Sequence, residues 1–324
     1  MIFYVYLDPK VIAVARDSGE LGLQTLIGIL RGFLQNCFVA EFENHQVQDE
    51  IREQIDGLPE TFDRTLIKKV MAQMKKHHRF IYCLIPDYTE ARDALTCARE
   101  QSGDALLDLL LLDEVGEEFA GIEGVEAATL FNYQHTQFEH DRSKLSAEGV
   151  ALAESAHDQH DLLDRYFKKA LRHASRIEIC DKLFGQMYRG NYEYTAHVLF
   201  EWLERILVDP SNCEITIHCG APDPEGPARP LDALKADLTS FKSGNLASVR
   251  LRLCLYDNDR GGDSLPHDRF IVTDQIALGL PRGMDFLNGA TRKNRDFSLD
   301  YKSVEQVSDL IASYATSRQP EIEL

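Results

Sequence analysis

The spacing of apolar residues along this chain switches repeatedly between a period near two and a period near 3.6, as expected where strands and helices follow one another. Residues 2–7 are an apolar run closed by Asp8-Pro9, which predicts a first strand ending in a turn. From 21 to 34, Leu23, Leu26, Ile27, Leu30, Phe33 and Leu34 recur with helical spacing. Residues 37–42 predict a second strand. Over 61–79, Leu66, Ile67, Val70, Met71 and Met74 mark the inner stripe of an amphipathic helix. Its other positions carry Arg64, Lys68, Lys69, Lys75, Lys76 and Arg79. Residues 80–85 read as a strong buried strand closed by Pro86-Asp87, followed by a helix to about 101 and an apolar block at 105–112 that fits either type.

Periodicity weakens over 116–150, an acidic stretch punctuated by Gly116, Gly121 and Gly124, and a polar helix is expected over 141–160. Beyond it the alternation is cleaner. Strands are expected at 175–181, 214–219, 248–256, 267–274 and 276–280, and helices at 191–208, 231–241 and 304–315. The turn-rich segments 220–230 and 257–264 separate them. This order predicts an α/β fold in two domains, an N-terminal α/β domain over 1–150 and a second over 155–324, with the boundary near 145–160.

Composition narrows the class. A hydrophobic share of 44% and a charged share of 27% are those of a globular protein with a sizeable core. There is no run of eighteen apolar residues and no basic leader before residues 2–7, so a membrane-spanning segment or signal peptide is not expected. None of the seven cysteines sits in a C-x-x-C pair. Cys37, Cys83, Cys180, Cys219 and Cys254 fall in strand-like runs and read as core thiols, which points to the cytoplasm. The net charge of −18 argues against indiscriminate binding to nucleic acid or acidic membrane. Half of that excess lies in residues 101–150, where eleven acids face only Arg142 and Lys144, an expected solvated face or protein-partner surface.

The chemistry concentrates in His267-Asp268-Arg269-Phe270-Ile271-Val272-Thr273-Asp274. Alternation along one strand places His267 and Arg269 on the same face. An imidazole can attack phosphorus, a guanidinium can grip phosphate oxygens in a fork, and a carboxylate can orient the imidazole. The trio suits a phosphodiester. A half-buried strand ending in a polar turn has the same spacing. Downstream, Gly279-Leu280-Pro281-Arg282-Gly283-Met284-Asp285-Phe286-Leu287 adds an arginine flanked by Pro and Gly.

The pair HDRFIVTD and GLPRGMDFL resembles the phospholipase D superfamily, whose signature is H-x-K-x4-D followed by a small-residue segment. It is most similar to the degenerate phospholipase D-like domain at the C terminus of some MIT-domain proteins and in bacterial relatives. The resemblance covers roughly 160–324, about half the chain. It implies an α/β sandwich lobe with His267 as nucleophile, Arg269 as phosphate clamp and Asp274 as orienting carboxylate. In catalytic members a second histidine, from another motif or a dimer mate, acts as general acid. Two departures matter: Arg269 stands where the family has lysine, and only one motif is present. Bacterial proteins of this general type often accompany defence systems.

Other candidates are weaker. Arg282, Arg292, Lys293 and Arg295 are expected to add cations along the same edge, or to be a solvated loop. His218, ending a strand, is a possible second imidazole. Asp257-x-Asp259-x3-Asp263 has neither the glycine offset nor the twelfth-position glutamate of a calcium loop. The basic positions over 64–79, with His77-His78, read first as a solvated helix face. Tyr4-Val5-Tyr6-Leu7-Asp8 faintly resembles the first strand of PIN-type nucleases, with Glu41, Glu43, Asp104 and Asp108 as companions that no spacing selects. The function expected is recognition of a phosphodiester in nucleic acid or a lipid headgroup, without cofactor or metal, within a larger complex. The alternative is a metal-independent phosphodiesterase or nuclease acting as a dimer through His267.

Overall fold

The computed structural model describes residues 2–41, 45–82, 107–119, 124–152, 158–186, 188, 192–221, 229–244, 246–257, 265, 269–281, 283–287, 297–314 and 321–324. The chain is α/β and divides into two compact units, 2–147 and 148–324.

The N-terminal unit carries β1 (Phe3–Leu7), α1 (Lys10–Asp17), α2 (Gly19–Asn36), β2 (Cys37–Glu41), α3 (Gln46–Asp56), α4 (Phe62–Lys76), β3 (Phe80–Tyr82), β4 (Leu109–Leu112), β5 (Glu126–Thr129) and α5 (Gln137–Glu148). Its strands form a parallel sheet in the order β3-β2-β1-β4-β5. Central parallel strands are covered on both faces, which is why β1, β2 and β4 are apolar runs, broken only by the terminal Glu41, with every residue buried. The helical run expected over 21–34 extends to Gly19–Asn36, while α1 and α3 add helices that the expected order lacks. The strand expected over 80–85 is described for three residues, with Tyr82 46% exposed, and residues 83–106 lie outside the described residues.

Two buried arginines brace this unit. Arg142 of α5 pairs with Glu139 at 2.7 Å and donates to the Gly32 carbonyl at 3.0 Å, joining α5 to α2. Arg79 lies over the Phe38 ring at 5.2 Å and donates to the Leu34 carbonyl at 3.2 Å. Burial lowers its pKa to about 10. Arg79 therefore belongs to the interior and not to the solvated face expected over 64–79.

The C-terminal unit carries β6 (Val150–Leu152), α6 (Gln159–Tyr166), α7 (Lys168–Leu171), β7 (Arg176–Cys180), α8 (Lys182–Gln186), α9 (Glu193–Ile206), β8 (Glu214–Gly220), α10 (Arg229–Ser243), β9 (Arg250–Tyr256), β10 (Arg269–Thr273), β11 (Ala277–Leu280), β12 (Phe297–Lys302), α11 (Val304–Ser313) and β13 (Ile322–Glu323). The sheet runs β13-β9-β8-β7-β10-β11-β12-β6. β7, β8 and β9 are parallel, and β10 joins β7 antiparallel. β11, β12 and β6 continue antiparallel on that side, as β13 does beside β9.

Alternation sorts the two faces of this sheet. Cys180, Cys254, Tyr256, Phe270, Val272 and Ala277 pack with Val307 and Ile311 of α11. Ile177, Ile179, Ile215, Ile217, Leu251 and Leu253 point the other way and are equally buried. The polar helix expected over 141–160 is interrupted: α5 ends at Glu148, and Gly149 leads into β6. Because β6 pairs with β12, Leu152 opposite Phe297, a domain starting at 155 would lack its edge strand. No helix among the described residues is long and apolar enough to cross a membrane.

Candidate functional site

β7, β8 and β9 all point their carboxyl ends to one edge, the edge at which open α/β sheets bind ligands. β10 runs the opposite way, so its first residue arrives at that edge. Phe270 pairs with Cys180, which sets Arg269 beside Asp181, the residue after β7. Both side chains leave the sheet on the face away from α11. Arg269 Nε lies 3.6 Å from Asp181 Oδ1, and Arg269 Nη1 donates to the Pro281 carbonyl at 3.2 Å.

Asp181 is fully buried. Its Oδ1 accepts the Leu183 N–H at 3.0 Å, and its Oδ2 accepts the Tyr192 hydroxyl and the Met284 N–H, each at 3.3 Å. Burial raises its pKa, while Arg269 and these hydrogen bonds pull it down. A guanidinium held by a buried carboxylate loses little further freedom when it binds a ligand. Gly283 closes the arrangement from the turn after β11. Its φ is +75°, and a Cβ there would come within 2.7 Å of Asp181 Oδ2 and 2.9 Å of Arg269 Cδ. Only glycine permits both that backbone and that approach.

Asp274 is elsewhere. It follows the other end of β10, where its Oδ2 accepts the Ser175 hydroxyl at 2.9 Å and its Oδ1 the Ser175 N–H at 3.1 Å. Strand residues advance by about 3.3 Å each, so the length of β10 separates Asp274 from the edge where Arg269 stands. Its carboxylate joins β10 to the start of β7, and the expected role of orienting a group at the Arg269 edge does not fit that position. His267, Arg282, Arg292, Lys293 and Arg295 lie outside the described residues, as do Asp259 and Asp263. Of the expected site residues, the structure therefore locates Arg269 and Asp274 and places them apart.

Asp181 was not among the expected site residues, although the strand expected over 175–181 ends on it. Its signal was an acid at the carboxyl end of an apolar strand. The partner lies 88 positions downstream and comes beside it only through sheet pairing. His218 lies level with Asp181, whose N–H donates to its carbonyl at 3.0 Å, but its side chain leaves the sheet on the opposite face. It is buried within β8, on the α11 face, with Nδ1 2.9 Å from the Tyr256 hydroxyl. On α4, Lys68 and Arg64 pair with Asp56 at 2.7 and 3.3 Å, which removes the two from a continuous basic face.

In the N-terminal unit the strand order reverses between β1 and β4. Asp8, after β1, is 3% exposed, and its Oδ1 accepts the Lys10 N–H at 2.8 Å. Burial raises its pKa against that hydrogen bond, and the charge of Asp113 raises it further. Of its suggested companions, Glu41 accepts the Val47 and Gln48 N–H groups at the start of α3. Asp108 accepts the Tyr4 N–H at 2.7 Å from the start of β4, and Glu43 and Asp104 lie outside the described residues. Among the described residues no three His, Cys, Asp or Glu side chains are grouped to hold a metal ion.

Comparison with protein-family models, with curated proteins and with solved structures finds no match to this chain.

Proposed function

We propose that the C-terminal unit is a phospholipase D-like lobe that recognises a phosphodiester group, in nucleic acid or in a lipid headgroup, as a binding or regulatory module. The observation that carries this reading is the seating of Arg269: it opens β10 at the carboxyl edge of three parallel strands, braced by buried Asp181 and by the turn at Gly283. The family motif places His267 two residues before it in the sequence.

Recognition is favoured over turnover for two reasons. Asp181 compensates the Arg269 charge, which weakens the positive potential available to a developing phosphorane. Asp274, the third motif residue, is engaged with Ser175 and supplies no charge to that edge. Arg282, Arg292, Lys293 and Arg295 are assigned to the same phosphate-binding surface from their sequence positions. The acidic 101–150 segment is assigned to a protein partner, in the manner of a defence-type complex.

The test incubates the full chain with labelled single-stranded DNA, RNA and phosphoinositide-containing vesicles, with and without EDTA, beside His267→Ala. Saturable binding without product formation supports the module. Metal-independent cleavage that is lost in His267→Ala and requires a dimer establishes the enzyme instead. Absence of binding to all three probes overturns both.

A further inference from the structure

The α11 face of the C-terminal sheet contains a second polar feature, separate from the Arg269 edge. A half-open cavity of about 250 Å³ lies between β7, β8, β9 and α11, lined by Arg176, Glu178, His218 and Tyr256 from the sheet and by Ser308 and Ile311 from the helix. His218 is 4% exposed. Its Nε2 sits 3.6 Å from Glu178 Oε2, too far for a hydrogen bond, and is buried with no hydrogen-bond partner among the described residues. Arg176 Nε, 3.5 Å from Glu178 Oε1, and Ser308 Oγ are buried and unbonded in the same way.

Buried polar atoms are nearly always hydrogen-bonded, and each exception is destabilising. Three exceptions around one cavity imply an occupant that satisfies them together. Their chemistry defines it. Arg176 Nε only donates. Glu178 Oε2, 3.6 Å from Nε2, favours the tautomer with the proton there, in which Nε2 donates and Nδ1 accepts from the Tyr256 hydroxyl. Ser308 supplies a third donor. The occupant must therefore present clustered acceptors. The Glu178 carboxylate in the wall repels a dianion such as phosphate about twice as strongly as a monoanion. The volume equals the share of about eight water molecules, below the roughly 300 Å³ at which drug-sized pockets begin. Ile311 adds an apolar wall.

We propose that this cavity binds a small monocarboxylate of a few carbons. Its two oxygens take the hydrogen bonds that Arg176, His218 and Ser308 leave unmade, and its hydrocarbon end lies against Ile311. The assignment does not depend on phosphodiester recognition, because the cavity and Arg269 occupy opposite faces of the sheet.

The test titrates the full-length protein with butyrate, with butyramide as the neutral isostere and with inorganic phosphate, following the His218 imidazole resonances and the heat of binding. Butyrate is expected to bind and to shift those resonances, with butyramide and phosphate at least about tenfold weaker. Ser308→Ala and Arg176→Gln should each weaken butyrate about tenfold, the worth of one charge-assisted hydrogen bond. If Arg176→Gln fails to fold, Ser308→Ala and the resonances decide. Equal binding of butyramide, an unmoved His218 resonance at tens of millimolar butyrate, or full affinity in Ser308→Ala overturns the proposal and leaves a cavity filled by water.

Discussion

Arg269 and Asp181 meet at 3.6 Å although 88 positions separate them, and the carboxylate is fully buried while the guanidinium is mostly so. Their charges are interdependent. Removing either leaves the other buried without compensation, which costs more than the pair itself contributes. Arg269→Ala is therefore expected to destabilise the C-terminal unit by about 3–5 kcal/mol. The double variant Asp181→Asn with Arg269→Gln should recover most of that loss and still fail to bind phosphate ligands. Urea melts and probe binding on the three proteins separate the two effects. If the double variant binds as tightly as the parent, Arg269 is a structural ion only.

Gly283 offers a cleaner perturbation of the same place. Gly283→Ala forces a left-handed backbone on alanine and drives its methyl into Asp181 and Arg269. The expected cost is about 1–3 kcal/mol, with phosphate affinity falling too as Arg269 is displaced. An unchanged melting midpoint would show that the turn relaxes freely and places no constraint on the pair.

Asp274→Ala should behave differently from both. It removes the bonds to Ser175 and is expected to lower stability by about 1–2 kcal/mol, while phosphate binding by the folded protein is retained. Lost binding at retained stability would restore the motif role that the structure does not give Asp274.

Asp8 predicts a pH effect in the N-terminal unit. Its folded pKa is raised, chiefly by burial, so the stability it confers is present below the ordinary carboxylate pKa of about 3.9 and is lost as pH rises through the raised value. Asp8→Asn keeps an oxygen for the Lys10 N–H and removes the charge. It should raise the melting temperature at neutral pH, with the gain disappearing as pH falls into the ordinary carboxylate range. A gain that persists at low pH would point to packing.

The position of β6 predicts how the chain can be cut. A fragment starting at 148 retains the pairing of β6 with β12 and should melt cooperatively, whereas one starting at 155 exposes the β12 edge and should be less stable and prone to associate. Equal melts for the two fragments would show that β6 contributes nothing.

What could be read from the residues depended on how far the cause of each element extends along the chain. β1, β7 and β8 announce themselves because burial on two faces, or strict alternation, is written into five to seven consecutive residues. α3 is stabilised by only Val47, Ile51 and Ile55 in a polar background, a stripe too thin to stand out. β6 has three residues and exists because β12 is beside it, and β12 itself follows a basic stretch that masked its alternation. The site divides in the same way. Arg269 is legible from a local motif, but the same motif groups Asp274 with it five residues on, and an extended strand carries residues at that spacing apart. Asp181 needed the sheet order, which no local pattern contains.

The hairpin turn that follows β10 is built from side-chain bonds. Thr273 Oγ1 accepts the Gln275 and Ile276 N–H groups at 3.0 and 2.9 Å, and Asp274 fastens the turn to Ser175. A slip of one residue along β10 would invert every side chain on it, turning Arg269 toward α11 and Phe270 toward Asp181. The turn is thus a registration mark for a guanidinium at the far end of the strand. Sequence changes there can turn Arg269 away from Asp181 without touching either residue.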